Sequence, residues 1–124
     1  SRWSKVKIID DSSIFLKGLK DMVFGIYSAH GEGRIVLENE ELDDKLFPVR
    51  FVDSENQITE KYPFNPNGSL GGRTGIISEN GRHMALMPHP ERTILDWQLP
   101  IPYINNYSPW YMIFKNLMNF CMKQ

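Results

Sequence analysis

The sequence predicts an α/β fold in which several strands lead into a C-terminal helix. Three features carry this: recurring segments with apolar residues near every second position, an Asn-Gly hairpin signal joining two of them, and a final stretch at helical spacing. Trp3-Ser4-Lys5-Val6-Lys7-Ile8-Ile9 reads as the opening strand. Ser12-Ser13 is placed to cap a short amphipathic turn or helix through Ile14, Phe15, Leu16 and Leu19, ending near Gly18 or Lys20. Val23 to Ala29, rich in β-branched and aromatic residues, is a strand that delivers the loop His30-Gly31-Glu32-Gly33.

Glu38 to Lys45 is acidic and surface-like, and Val49-Arg50-Phe51-Val52-Asp53 alternates as a half-buried strand before the turn Ser54-Glu55-Asn56. Pro63 to Gly72 is dense in Pro, Asn and Gly, a long loop that is either ordered or flexible. Gly75 to Ser78 and Met84 to Met87 pair as a hairpin around Glu79-Asn80-Gly81-Arg82. Trp97 to Pro109 is connection. Trp110, Ile113, Phe114, Leu117, Phe120 and Cys121 then form the apolar side of a packed helix, with Ser108-Pro109 as cap and first-turn residue.

At 124 residues the chain fits one modest domain, and 41% hydrophobic with 23% charged residues is a globular composition. A formal net charge of −1 without a Lys/Arg cluster argues against nucleic acid or an acidic membrane as the main partner. The apolar runs are too short to span a bilayer and the start is not a signal peptide, so a soluble, cytoplasmic protein is expected. A single cysteine, Cys121, excludes an internal disulfide and a multi-thiolate zinc site. His30, His83 and His89 lack the spacing of metal ligands, so no metal is expected. The chain opens without Met inside a strand, which reads as a fragment.

The chemistry concentrates in Met87-Pro88-His89-Pro90-Glu91-Arg92. Each proline disfavours helical geometry in the residue before it, so Met87 and His89 are expected to be extended. In an extended segment, residues two apart project to one side about 6–7 Å apart, which lets the Glu91 carboxylate hold the His89 imidazole. A carboxylate on one ring nitrogen fixes the tautomer and frees the other as a general base, two-thirds of a nucleophilic triad. Against this stands a plainer reading, in which His89 ends a strand and Glu91 pairs with Arg92 or solvent. Cys121 is expected to be buried, inert packing in the C-terminal helix rather than the nucleophile. The His30–Arg34 loop is either a tight turn that needs glycine or a ligand-contacting loop.

Met87 to Arg92 resembles the histidine-glutamate motif of class I (triad) glutamine amidotransferases. Ser1-Arg2-Trp3, Ser13 to Gly18, Ala29-His30-Gly31-Glu32-Gly33-Arg34, Tyr62 to Ser69, Asp96-Trp97-Gln98 and Ser108-Pro109-Trp110 follow the order they take in the phosphoribosylformylglycinamidine synthase family. The resemblance spans nearly the whole chain and implies the C-terminal portion, residues 1–124, of a glutaminase domain: half of a flavodoxin-like α/β fold with a mixed sheet and a C-terminal helix. It implies His89 as base and Glu91 as orienting acid of a Cys-His-Glu triad, with His30 and Gly31 contacting glutamine. The resemblance implies a nucleophilic cysteine on an elbow upstream of Ser1, so the 124 residues alone are expected to be inactive.

The implied partners are glutamine, the upstream half of the glutaminase domain and a synthetase domain. That synthetase uses ATP and Mg to convert formylglycinamide ribonucleotide to the amidine in purine synthesis; no cofactor is implied for this segment. Arg73, where the family has a neutral residue, and Leu99 to Pro102, in place of a tryptophan-rich segment, depart from the pattern. The non-enzymatic alternative is a truncated remnant acting as an interaction module. Lacking the partner half, the chain is expected to expose sheet edges and apolar surface.

Overall fold

The computed structural model describes residues 2–28, 34–36, 44–93 and 110–123. Strands β1 (Arg2–Ile8), β2 (Val23–Ser28), β3 (Val49–Val52), β4 (Arg73–Ile77) and β5 (Met84–Leu86) form a five-stranded sheet in the order β2-β1-β3-β4-β5. Helix α1 spans Tyr111–Met122. Sheet and C-terminal helix are as the sequence predicts. Every pairing between these strands is antiparallel, so the parallel component of the expected mixed sheet is not found among the described residues.

Alternation decides which face is buried. Val6 stands opposite both Phe24 and Phe51 across β1, and these residues, with Ile8, Ile26 and Val49, line one core. Leu16 and Leu19 cover it from the segment after β1, as their apolar character predicts, but that segment forms successive turns rather than a helix. Its backbone closes Leu16 N–H on Ser13 O at 3.1 Å and Leu19 N–H on Leu16 O at 3.0 Å. Gly18 at φ 83° and Asp21 at φ 66° break the right-handed run that a helix requires.

Helix α1 closes the same core through Trp110 and Ile113, with Met112 partly buried beside them. The Asn116 amide donates to the carbonyls of Phe15 at 3.1 Å and Lys17 at 2.9 Å, locking the helix to the turns. This choice of face corrects two expectations. Phe114 and Leu117 are exposed because a polar residue, Asn116, occupies the docked side between Ile113 and Phe120. Cys121 is also exposed rather than packed inside, since it lies one residue, a fraction of a helical turn, beyond the half-buried Phe120. The proposed cap Ser108-Pro109 and the Leu99–Pro102 departure lie outside the described residues.

Tyr111, Phe114, Leu117, Met118 and Met122 leave apolar surface on α1. On its own, the 124-residue chain is therefore expected to associate or melt without cooperativity. A sharp thermal transition together with a monomeric sedimentation profile would contradict this.

The long Asn/Pro/Gly loop is ordered. Asn65, 1% exposed, donates through its amide to Thr59 O at 3.1 Å and Ser69 O at 2.9 Å, and accepts from Gly68 N–H at 2.9 Å. Asn67 accepts from the Ser69 amide and hydroxyl, and the Ser69 hydroxyl in turn accepts from Ile35 N–H at 2.9 Å. The Tyr62–Pro63 peptide is cis. Asn65→Ala removes the donor for two carbonyls and the acceptor for one amide, so we expect a loss of about 2 kcal/mol. Hydrogen exchange at Gly68 and at the β4 amides measures it.

Arg73 acquires a structural explanation. Arg50 and Arg73, both buried, converge on one oxygen of Asp44, at 3.1 and 3.0 Å. Arg50 also donates to Phe47 O at 2.8 Å and Gly71 O at 2.9 Å, while the Arg73 guanidinium lies 4.8 Å above the Phe47 ring. Hydrogen bonds from Arg73 and then Arg50 hold the Asp44 carboxyl below its ordinary pKa. Its folded pKa being depressed, the contribution is present above the ordinary carboxyl range and is lost as pH falls through the lowered value. With the Asp44 side chain 73% exposed, solvent screening keeps that contribution small. Burial pushes the Arg50 pKa down, against the pull of Asp44.

Candidate active site

The β4–β5 hairpin aims the site residues. Ser78 N–H donates to His83 O at 3.0 Å across the loop Glu79 to Arg82, and Gly81 takes φ 71°, the left-handed conformation that glycine tolerates best. Gly81 is also pressed against Ser13, whose hydroxyl donates to the Gly81 carbonyl at 2.9 Å. Beyond β5 the chain bends at Met87 and Pro88 rather than running on extended at Met87, and Met87 N–H donates to Thr74 O at 3.3 Å.

At His89 the segment crosses from β4 to the far side of the sheet. His89 N–H donates to Tyr27 O at 2.9 Å, an isolated antiparallel bridge to β2. The two ends of the strand order thus meet at one point, and the sheet curls around its core. Pro90 then opens a short 3-10 helix, Pro90–Thr93, closed by Arg92 N–H on His89 O at 3.2 Å. Proline suits that first position because its φ is already set and its missing N–H is not needed there.

His89 is extended, as the prolines predict, but Glu91 is not its neighbour on an extended strand. The 3-10 turn folds Glu91 back, and the His89 Nδ1–H donates to Glu91 Oε1 at 2.7 Å. The pair is therefore closer than extension alone provides. Their side chains are 32% and 54% exposed, so the imidazole is reachable from solvent. With Nδ1 committed to the carboxylate, Nε2 is the ring nitrogen left to exchange a proton.

Of the four predicted site residues, His89 and Glu91 are brought into contact, and His30 and Gly31 lie outside the described residues. Two participants carry no local signal: Tyr27 and Thr74, whose backbone carbonyls seat the motif, are identified by pairing between distant segments. No group of three or more His, Cys, Asp or Glu among the described residues is placed to hold a metal. No described helix is long and apolar enough to cross a membrane.

A strand-delivered His–Glu pair on a sheet backed by a C-terminal helix is a site suited to assisting a nucleophile in acyl transfer. Residues 1–121 match the CobB/CobQ-like glutamine amidotransferase domain, and the chain belongs to that family. The chain is 42% identical over 135 residues to the phosphoribosylformylglycinamidine synthase of Dictyostelium discoideum, a match covering 98% of this chain and 10% of that protein. It is 39% identical over 132 residues to the human enzyme of the same name, covering 99% and 10%. The resemblance read from the ordered motifs is thus borne out over nearly the whole chain. The chain spans about a tenth of the length of these curated relatives. The structure of PurLQS from Thermotoga maritima shares the fold, with a TM-score of 0.69 at 24% identity over 97% of this chain and 47% of that one.

Proposed function

We propose that this chain supplies the general base, His89, and its orienting acid, Glu91, to the glutaminase site of a phosphoribosylformylglycinamidine synthase, within a longer protein. The observation that carries the reading is the 2.7 Å contact between His89 Nδ1 and Glu91 Oε1 in a chain of this amidotransferase family. Glu91 holds the imidazole in one tautomer, and Nε2 takes the proton of a cysteine thiol as its sulfur attacks the glutamine amide carbon. The same nitrogen returns the proton to the departing amine, so ammonia leaves and a glutamyl thioester remains. Water, deprotonated by the same base, then cleaves the thioester to glutamate and the free thiol.

The nucleophile in this proposal is a cysteine outside the 124 residues. Cys121 is exposed on α1, the helix that Asn116 ties to the turns after β1, and takes no part in this proposal. His30 and Gly31 are proposed to contact the glutamine substrate. The upstream half is proposed to complete a flavodoxin-like class I domain, docked to a synthetase domain in the cytoplasm. ATP and Mg are proposed to act in that synthetase, and no step here runs through them.

The test is to replace His89 in the full-length protein and compare glutamine with ammonia as nitrogen source. Loss of both activities alike, or of neither, sinks the reading. An interaction module requires the second of these outcomes.

A further inference from the structure

Strand β2 is an outer member of the sheet order, and its end carries the carbonyl of Tyr27 that seats His89. The end of an outer strand opens readily unless side chains tie it down. Here the tie is aromatic. Trp3 faces Tyr27 directly across β1 and β2, with ring centroids 4.9 Å apart and planes at 67°, an edge-to-face pair.

The indole reaches this position by spreading over Gly25, two residues back along β2. A Cβ added at Gly25 would lie 1.8 Å from Trp3 Cζ2 and 2.3 Å from Cε2, inside the ring system. Gly25 does not take a positive φ, so its backbone conformation does not require glycine; the indole does. On the core side the Gly25 carbonyl accepts from Trp110 Nε1 at 2.7 Å. The strand is therefore held at Gly25 from the core and at Tyr27 from the opposite face.

We propose that Gly25, Trp3 and Tyr27 form a positioning stack for His89: Gly25 admits the indole, the indole clamps Tyr27, and the Tyr27 carbonyl fixes the height at which His89 meets its reaction partners. None of the three touches the reacting atoms in this scheme. The inference rests on the reading of His89 as general base and adds to it the residues that set its place. A shift of an ångström in a proton-transfer group is enough to cost rate without weakening substrate binding.

The experiment uses the full-length protein with Trp3→Ala, Gly25→Ala and the double variant, beside His89→Ala. Competent sites are counted by labelling to completion with an electrophilic glutamine analogue, so that turnover per site is separated from the fraction of folded sites. Trp3→Ala and Gly25→Ala are each expected to lower glutamine-dependent kcat per counted site on the order of tenfold to a hundredfold. The KM for glutamine and the ammonia-dependent rate stay unchanged. The double variant is no slower than Trp3→Ala, because the added Cβ no longer meets an indole.

Normal turnover per site in the single variants, with His89→Ala still inactive, overturns the stack and leaves the triad role standing. A fall in site count at normal turnover, or a rise in KM alone, overturns it in favour of a purely structural role. A full Gly25→Ala penalty persisting without the indole overturns it as a unit. Unimpaired His89→Ala removes the general-base reading itself, a result distinct from all of these.

Discussion

His89→Ala in the full-length protein is expected to lower glutamine-dependent synthesis by about 10⁴-fold or more, while ammonia-dependent synthesis continues. The size follows from what the imidazole does: it accepts the thiol proton, returns it to the leaving amine and later activates water, so three proton transfers lose their carrier. Ammonia supplied from solution bypasses all three. Glu91→Gln, which keeps the size of the side chain but not its charge, leaves the imidazole in place with a weaker partner. Its loss is expected to fall between wild type and His89→Ala, since positioning survives while stabilisation of the protonated ring does not. Initial rates with glutamine and with an ammonium salt check both variants.

The site was legible where it is local and hidden where it is not. His89 and Glu91 are two residues apart, and the flanking prolines restrict the backbone strongly enough for their proximity to follow from the sequence. Even so, the route differed: Pro90 starts a 3-10 turn, and the turn brings Glu91 to 2.7 Å from the ring. Tyr27 was not legible as a participant. Its contribution is a backbone carbonyl, which every residue has, and only the curl of the sheet selects it. Strand positions were readable from alternation, but the antiparallel order β2-β1-β3-β4-β5 depends on pairings between distant segments.

The docked face of α1 does not follow from helical spacing, for a similar reason. Helical spacing groups Phe114, Leu117 and Cys121 with Ile113, yet the docked side is set by where the turns after β1 present open carbonyls. Asn116 satisfies two of them, and its position rotates Phe114, Leu117 and Cys121 toward solvent. Arg73 departs from the family pattern. Its partner Asp44 precedes it by 29 residues, and sequence alone does not connect them.

Trp110→Ala is expected to carry the largest stability cost, about 3–5 kcal/mol. The residue is fully buried, its ring meets Phe24 edge-to-face at 4.5 Å, and its indole N–H donates to Gly25 O. Truncation opens a cavity between helix and sheet and at the same time strands a buried carbonyl on β2, so two penalties fall on the strand that seats His89. Hydrogen exchange at the β2 amides resolves this local loss, which a global melt of a longer protein would blur. Trp110→Phe restores much of the volume but not the N–H, and is expected to recover most, not all, of the protection. If β2 protection is unchanged in Trp110→Ala, α1 is not what holds this strand, and the coupling from helix to β2 to His89 fails at its first step.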